Sequence, residues 1–169
     1  LIRLRALEPE DLETLYKWEN EVSLWRFGNT CQPYSRFALK QYIQESEKTI
    51  YESCQLRLMV ESKTDKTILG TVDLYDFDTH NSKVALGLYI DTAFKGKGIA
   101  TMALRLTESY LFDFLHIHQL YCYISVNNTP SVNMFIKENY HQQAILKDWI
   151  RTPEGYENII VFQRFNPQI

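Results

Sequence analysis

Val84-Ala85-Leu86-Gly87-Leu88-Tyr89-Ile90-Asp91-Thr92-Ala93-Phe94-Lys95-Gly96-Lys97-Gly98-Ile99-Ala100 is the stretch on which the reading of this chain turns. Its first half alternates apolar residues at Val84, Leu86, Leu88 and Ile90, which predicts a strand. Its second half is a short loop, 91–98, that opens a long helix with Ile99, Ala103, Leu106, Tyr110 and Phe114 as its core stripe and Arg105, Glu108 and Ser109 facing water. Glycines at 96 and 98 let backbone N–H groups approach an anion with no side chain in the way. The helix start points its unpaired N–H groups and positive dipole end into the same space, and Lys95 and Lys97 add charge. Such a device binds a phosphate or pyrophosphate. It is neither a Walker loop, since GxxxxGKS/T is absent, nor GxGxxG after a first strand; for a lone GxG, two glycines that merely end a strand and cap a helix would be the better reading.

Working outward, residues 1–6 read as a strand, and Glu8-Pro9-Glu10-Asp11 as a helix start with Leu12, Leu15 and Tyr16 on its apolar stripe. Residues 20–34 show no clear period and hold Trp25, Phe27, Gly28 and Cys31. Ser35 caps a second helix whose face carries Leu39, Tyr42, Ile43 and Ile50. Strands built on Leu56, Leu58 and Val60 and on Ile68, Gly70, Val72 and Leu74 follow, with turns at 63–66 and 76–82. After the long helix come a strand at 119–126, a short helix at 129–138 led by Asn128 and Pro130, and two strands at 142–151 and 157–165. The expected fold class is α/β of the α+β type: a mixed, mostly antiparallel central sheet of about seven strands flanked by about four helices. No linker or repeat interrupts residues 1–169, which read as one domain.

Composition excludes several classes. The apolar fraction of 45% and charged fraction of 23% are those of a globular protein, and no run of about eighteen uncharged apolar residues would span a membrane. The start, Leu1-Ile2-Arg3-Leu4-Arg5, alternates like a strand and does not resemble a signal sequence. Cys31, Cys54 and Cys122 are scattered and free of metal-ligand spacing, as expected of reduced thiols in a cytoplasmic protein. Net charge is −3 with no basic block, so no nucleic-acid partner is expected. His80, His116, His118 and His141 lack HExxH or another ligand pattern, so no metal is expected.

Lys95-Gly96-Lys97-Gly98-Ile99-Ala100 resembles the Gln/Arg-x-x-Gly-x-Gly/Ala pyrophosphate loop of the Gcn5-related N-acetyltransferase (GNAT) family. Asn128-Thr129-Pro130-Ser131-Val132-Asn133-Met134-Phe135 resembles that family's Asn-x-x-Ser/Ala-x-x-Leu-Tyr segment. The likeness is greatest to the branch of spermidine and ribosomal-protein N-acetyltransferases. The resemblance implies that acetyl-CoA is the co-substrate and that N–H groups from Gly96 to Thr101 cradle its pyrophosphate, so that Lys95, Gly96, Lys97, Gly98, Ile99, Ala100 and Thr101 form the loop site. It also implies that the strand edge near Leu88 and Ile90 pairs with the pantetheine arm, with an N–H facing the thioester oxygen. Asn128 would bond the same arm, and Phe135 would stand where the family often has a Tyr that protonates the departing thiolate.

Three departures from that pattern bear on mechanism. Lys95 replaces Gln or Arg, and Phe135 has no proton to give, which leaves Ser131, Tyr140 or water as acid. Val84-Ala85-Leu86-Gly87 lacks the Glu of the branch's Ala-Glu-x-Gly, which leaves Asp73 as the spare carboxylate for a base. The acceptor side must come from 20–34 and the second helix. Glu19, Glu21, Trp25 and Tyr34 could form an acidic, aromatic pocket, extended by Glu45, Glu47 and Glu52, or could simply be solvated surface and core aromatics. The expected reaction is direct acetyl transfer to a primary amine, first a polyamine such as spermidine, second a protein N-terminus or amino-acid-like amine. The other classes weighed are a CoA-binding module with little catalysis and a nucleotide-phosphate binder. A homo-oligomer is compatible with exposed Tyr and Trp.

Overall fold

A computed structural model describes residues 1–26 and 30–169 and the backbone of Phe27; Gly28 of the aperiodic segment lies outside the described residues. Seven strands, β1 (Ile2–Arg5), β2 (Leu56–Ser62), β3 (Ile68–Asp78), β4 (Lys83–Ile90), β5 (Gln119–Ser125), β6 (His141–Thr152) and β7 (Gly155–Phe165), form one sheet. Their order is β1-β2-β3-β4-β5-β7-β6. Every neighbouring pair is antiparallel except β4–β5. A parallel pair cannot be joined by a tight turn, and here α4 (Ile99–Glu108) makes the crossover. The other α-helices among the described residues are α1 (Leu12–Glu19), α2 (Arg36–Glu45), the single turn α3 (Ile50–Ser53) and α5 (Thr129–Lys137).

Strand alternation divides the apolar residues between two faces. Val72, Leu74, Val84, Leu86, Leu120 and Phe162 pack with Ala103, Leu104 and Leu111 from the α4 side. Met59, facing the other way, packs with Leu15, Trp18, Leu39 and Ile43 from α1 and α2. Each such buried side chain contributes about 1.5–3 kcal/mol relative to exposure.

Local signals placed most boundaries. The Ser35 hydroxyl accepts from the Ala38 N–H at 3.0 Å and starts α2. Asp78 accepts from the Asn81 backbone and side-chain amides at 2.9 and 2.7 Å and closes the β3–β4 turn. β3 runs further than expected because it carries an irregularity between Tyr75 and Asp78, with Asp76 at φ 49°. Ile50 belongs to α3, which its own Thr49–Glu52 capping box starts.

The expected stripe on α4 requires correction. Leu106 and Phe114 are 41% and 72% exposed, whereas Glu108 is buried. The buried line is Ile99, Ala103, Leu104 and Thr107. After Glu108 the helix loosens into a π-helical turn, Ser109–Phe114, which adds a residue to the turn and rotates the following side chains. Glu108 is tolerated inside because Arg164 Nη1 donates to its Oε1 at 3.1 Å. A second buried acid, Glu61 on β2, is held by Arg5 and by Arg3, whose Nε lies 2.8 Å from Oε1. Arg5 in turn grips Asp11 through two bonds of 2.7 and 2.8 Å, tying β1 to the start of α1.

Candidate functional site

The parallel pair β4–β5 is matched only at Lys83↔Gln119, Val84↔Leu120 and Ala85↔Tyr121. Beyond Ala85 the two strands part, because β5 stays with β7 up to Ser125 while β4 stays with β3 up to Ile90. Residues 86–90 therefore present a strand edge without a partner on the β5 side, facing a wedge-shaped opening. Such an edge has backbone donors and acceptors to offer an extended amide-bearing chain.

The glycine loop follows directly from β4, at the open end of this wedge. Asp91 accepts from the Ala93 N–H at 3.0 Å and from the Trp18 indole at 2.9 Å, which anchors the loop to α1. Those donors lower the Asp91 carboxyl below the usual range, the Ala93 N–H more than the indole. Gly96 and Gly98 have φ of 77° and 74°, a region where L side chains are strained. A Cβ built at either meets nothing within 4 Å, so the space in front of the α4 N-terminus is open. No side chain caps that terminus, which leaves its first N–H groups available to an anion. Lys95 and Lys97 are exposed beside it, and Ile99 turns into the core. The CoA fit rests on these three observations: an unpaired strand edge, an open glycine loop and an uncapped helix start.

On α5, the Asn128 side chain accepts from the Ser131 N–H at 3.4 Å, and Ser131 is half-buried in the first turn. Phe135 is not open to a cofactor. It is 2% exposed, edge-on to Tyr140 at 4.9 Å and stacked on Phe162 at 6.1 Å. Tyr140 is not open as an acid candidate: its hydroxyl is sealed in the core beside the Glu108 carboxylate. Burial, then the neighbouring Glu108 carboxylate, push that phenol well above its ordinary range. A group so placed does not exchange protons with water.

Asp73 is not the spare carboxylate expected from the sequence. It sits opposite Arg57 on β2 and opposite Gly87 on β4, one row across three strands. Arg57 binds both its oxygens, Nη2 at 3.2 Å from Oδ2, and gives Nη1 to Glu19 at the end of α1. Burial pulls the Arg57 guanidinium down, but Asp73, Tyr42 and Glu19 together hold it above its ordinary value, so it stays charged. The Tyr42 ring lies 5.5 Å from the guanidinium carbon. A Cβ at Gly87 would stand 3.6 Å from the Asp73 Cβ and 3.8 Å from Tyr75 Cε1, so this cluster borders the strand edge of the wedge. Tyr75 and Tyr121 flank Ala85 from β3 and β5.

Glu19 and Asp73 are thus brought together, and Trp25 joins them by donating its indole N–H to the Glu19 carbonyl at 2.8 Å. Tyr34 is exposed and fastened through Asn20, whose side chain bonds its N–H at 2.8 Å and its carbonyl at 3.0 Å. Glu21 is exposed and turned to the Ser23 hydroxyl at 2.8 Å. Glu52 is occupied by the α3 capping box, while Glu45 and Glu47 are exposed. Sequence reasoning missed Arg57, Tyr42 and Tyr75. The signal for Arg57 was present as a cation between Leu56 and Leu58, but alternation assigned it to solvent. Among the described residues no three His, Cys, Asp or Glu side chains cluster to hold a metal ion, and no helix is long and apolar enough to cross a membrane.

Comparison with known proteins agrees with this geometry. A model of the acetyltransferase (GNAT) domain matches residues 2–139. The chain is 26% identical over 159 residues to spermidine N(1)-acetyltransferase of Escherichia coli K12, covering 94% of this chain and 83% of that protein. It is 27% identical over 134 residues to the putative ribosomal N-acetyltransferase YdaF of Bacillus subtilis, covering 77% and 72%. In three dimensions it superposes on spermidine N-acetyltransferase of Vibrio cholerae, solved with CoA and spermine, at a TM-score of 0.87, with 21% identity over 98% and 95% of the two chains. A parted parallel strand pair, a glycine loop at its open end and a family match over residues 2–139 make this chain an N-acetyltransferase belonging to the GNAT family.

Proposed function

We propose that this enzyme transfers the acetyl group of acetyl-CoA to a primary amine of a polyamine such as spermidine. The observation that carries the reading is the half-buried cluster of Glu19, Asp73 and Tyr42 around Arg57, which with Tyr75 borders the unpaired edge of β4. The named activity of the Escherichia coli relative supports the same acceptor class. A protein N-terminus is the second reading, supported by the similarity to the putative ribosomal N-acetyltransferase.

Acetyl-CoA, when bound, supplies a thioester carbonyl activated toward amines. The N–H groups at Gly96–Thr101 hold its pyrophosphate, and Lys95 and Lys97 add attraction from the rim. Leu88 and Ile90 lie on the β4 edge that takes the pantetheine amides, with Asn128 across the wedge. A backbone N–H of that edge would face the carbonyl oxygen as negative charge develops there. The acceptor must arrive with one nitrogen unprotonated. Asp73 and Glu19, both bonded to Arg57, hold the remaining ammonium charge, and the neutral nitrogen attacks, passing its surplus proton to water once it is acylated. The C–N bond then forms as the C–S bond breaks, and the departing thiolate takes a proton from Ser131 with water behind it. Attack is direct, and Cys122 on β5, fully buried with its thiol pushed up by burial, is no nucleophile for a covalent route. Exposed Ile145, Trp149 and Tyr156 on the β6–β7 edge suit a homo-oligomer.

The test is thiol release from acetyl-CoA across putrescine, spermidine, spermine, amino acids and short peptides with free N-termini. Turnover confined to polyamines is the expected result. Turnover with peptides alone moves the acceptor to the second reading, and turnover with none of these amines overturns both.

A further inference from the structure

Arg57 takes no proton and forms no bond in the chemistry above, yet it joins the two carboxylates assigned to the acceptor. Of its five N–H donors, three are spent on Asp73 and Glu19. Its side chain is 18% exposed, against 21% for Glu19 and 32% for Asp73, so the three charges meet largely out of water. Two carboxylates and one guanidinium leave a single net negative charge. An arginine here opposes a cationic acceptor, and the fold supports it with two strands, the end of α1 and the Tyr42 ring. A neutral residue would have left two carboxylates free for two ammonium groups.

We infer that Arg57 determines the charge of the acceptor: as a built-in counter-cation it leaves room for one ammonium beside the reacting amine and penalises a second at close range. The inference rests on reading this face as the acceptor pocket. A unit charge about 7 Å away, at an effective dielectric of roughly 20–40, changes binding on the order of tenfold.

The experiment compares KM for cadaverine, which keeps one ammonium when its other amine reacts, with KM for spermidine, which keeps two. In Arg57→Gln the ratio KM(cadaverine)/KM(spermidine) rises about tenfold, because the pocket gains a negative charge. In Arg57→Lys, which preserves the charge, the ratio stays within about twofold of the parent. In Glu19→Gln it falls about tenfold, because the pocket loses one. Melting temperature and KM for acetyl-CoA are followed in parallel. Should Arg57→Gln fail to fold, the double variant Arg57→Gln/Glu19→Gln, which restores the single net negative charge, decides: the inference expects its ratio within about twofold of the parent, and a ratio as low as that of Glu19→Gln overturns it. Both amine KM values changing together at constant ratio would overturn the inference while leaving the pocket in place. Amine KM values unmoved in all three variants would instead remove the acceptor pocket from this face.

Discussion

Gly98→Ala separates a phosphate-binding loop from an ordinary helix cap. The backbone at Gly98 has φ 74° and ψ 5°, where an L-residue costs about 1–2 kcal/mol. Reduced freedom of the unfolded chain returns about 0.4–1 kcal/mol. No steric cost is added, because the new Cβ meets nothing within 4 Å. The net loss is about 1 kcal/mol, which for a chain of this size lowers Tm by roughly 2–4 °C. Acetyl-CoA binding should suffer far more. Under the proposed binding mode the methyl group would project into the pyrophosphate's space, and losing one hydrogen bond to a charged group costs about 1.5–3 kcal/mol. The expected outcome is a ten- to hundredfold rise in KM for acetyl-CoA, with KM for the amine changed by less than about threefold.

The assay is thiol release with each substrate varied in turn, beside a thermal melt. Gly70→Ala is the matched comparison, since its Cβ would lie 2.0 Å from the Tyr89 carbonyl oxygen and 2.9 Å from the Ile90 Cα. Backbone atoms cannot rotate away as a side chain can, so β3 and β4 must separate, at about 3 kcal/mol or more. That corresponds to a fall in Tm of roughly 6–12 °C. A Gly98→Ala enzyme that melts lower yet keeps the parent KM for acetyl-CoA would refute the anion-binding argument and leave the glycine as a helix cap.

Two further outcomes follow from buried groups. Arg5 and then Arg3 hold the Glu61 carboxyl below its ordinary range, so its stabilising contribution is complete above the unfolded value near 4.5 and is lost as pH falls through the lower folded value. Glu61→Gln should flatten that acid limb of Tm against pH, and a limb of unchanged steepness would show that other carboxylates govern it. With a thiol reagent under native conditions, exposed Cys31 and Cys54 should react and buried Cys122 should react only on unfolding; three fast thiols in the native protein would contradict the packing of β5.

The parts of this molecule legible in the sequence were those whose cause is local. The β4–loop–α4 stretch carries its own strand period, its own glycines and its own helix start. The Ser35 cap and the Asp78–Asn81 turn each involve residues three positions apart. Where the cause spans the chain, the reading failed. Glu108 looked like a solvated helix residue because its partner Arg164 lies 56 positions away, and only the packing of β7 against α4 makes an inward carboxylate tolerable. Asp73 looked like a spare base because a carboxylate reads the same whether bare or paired. Its partner Arg57 is 16 residues earlier, and the β2–β3 register alone sets them face to face. Tyr140 follows the same logic: a tyrosine two residues past a helix reads as available, and only the stacked Phe135 and Phe162 show that its hydroxyl is sealed. Charge pairing and burial are properties of contacts between elements, so a scan along the chain finds the residue types a site needs and leaves their states to the fold. In this enzyme the most consequential of those states is that of Asp73: both its oxygens are taken by Arg57, so under the proposed function it is not a free base and the proton of the attacking amine leaves by water.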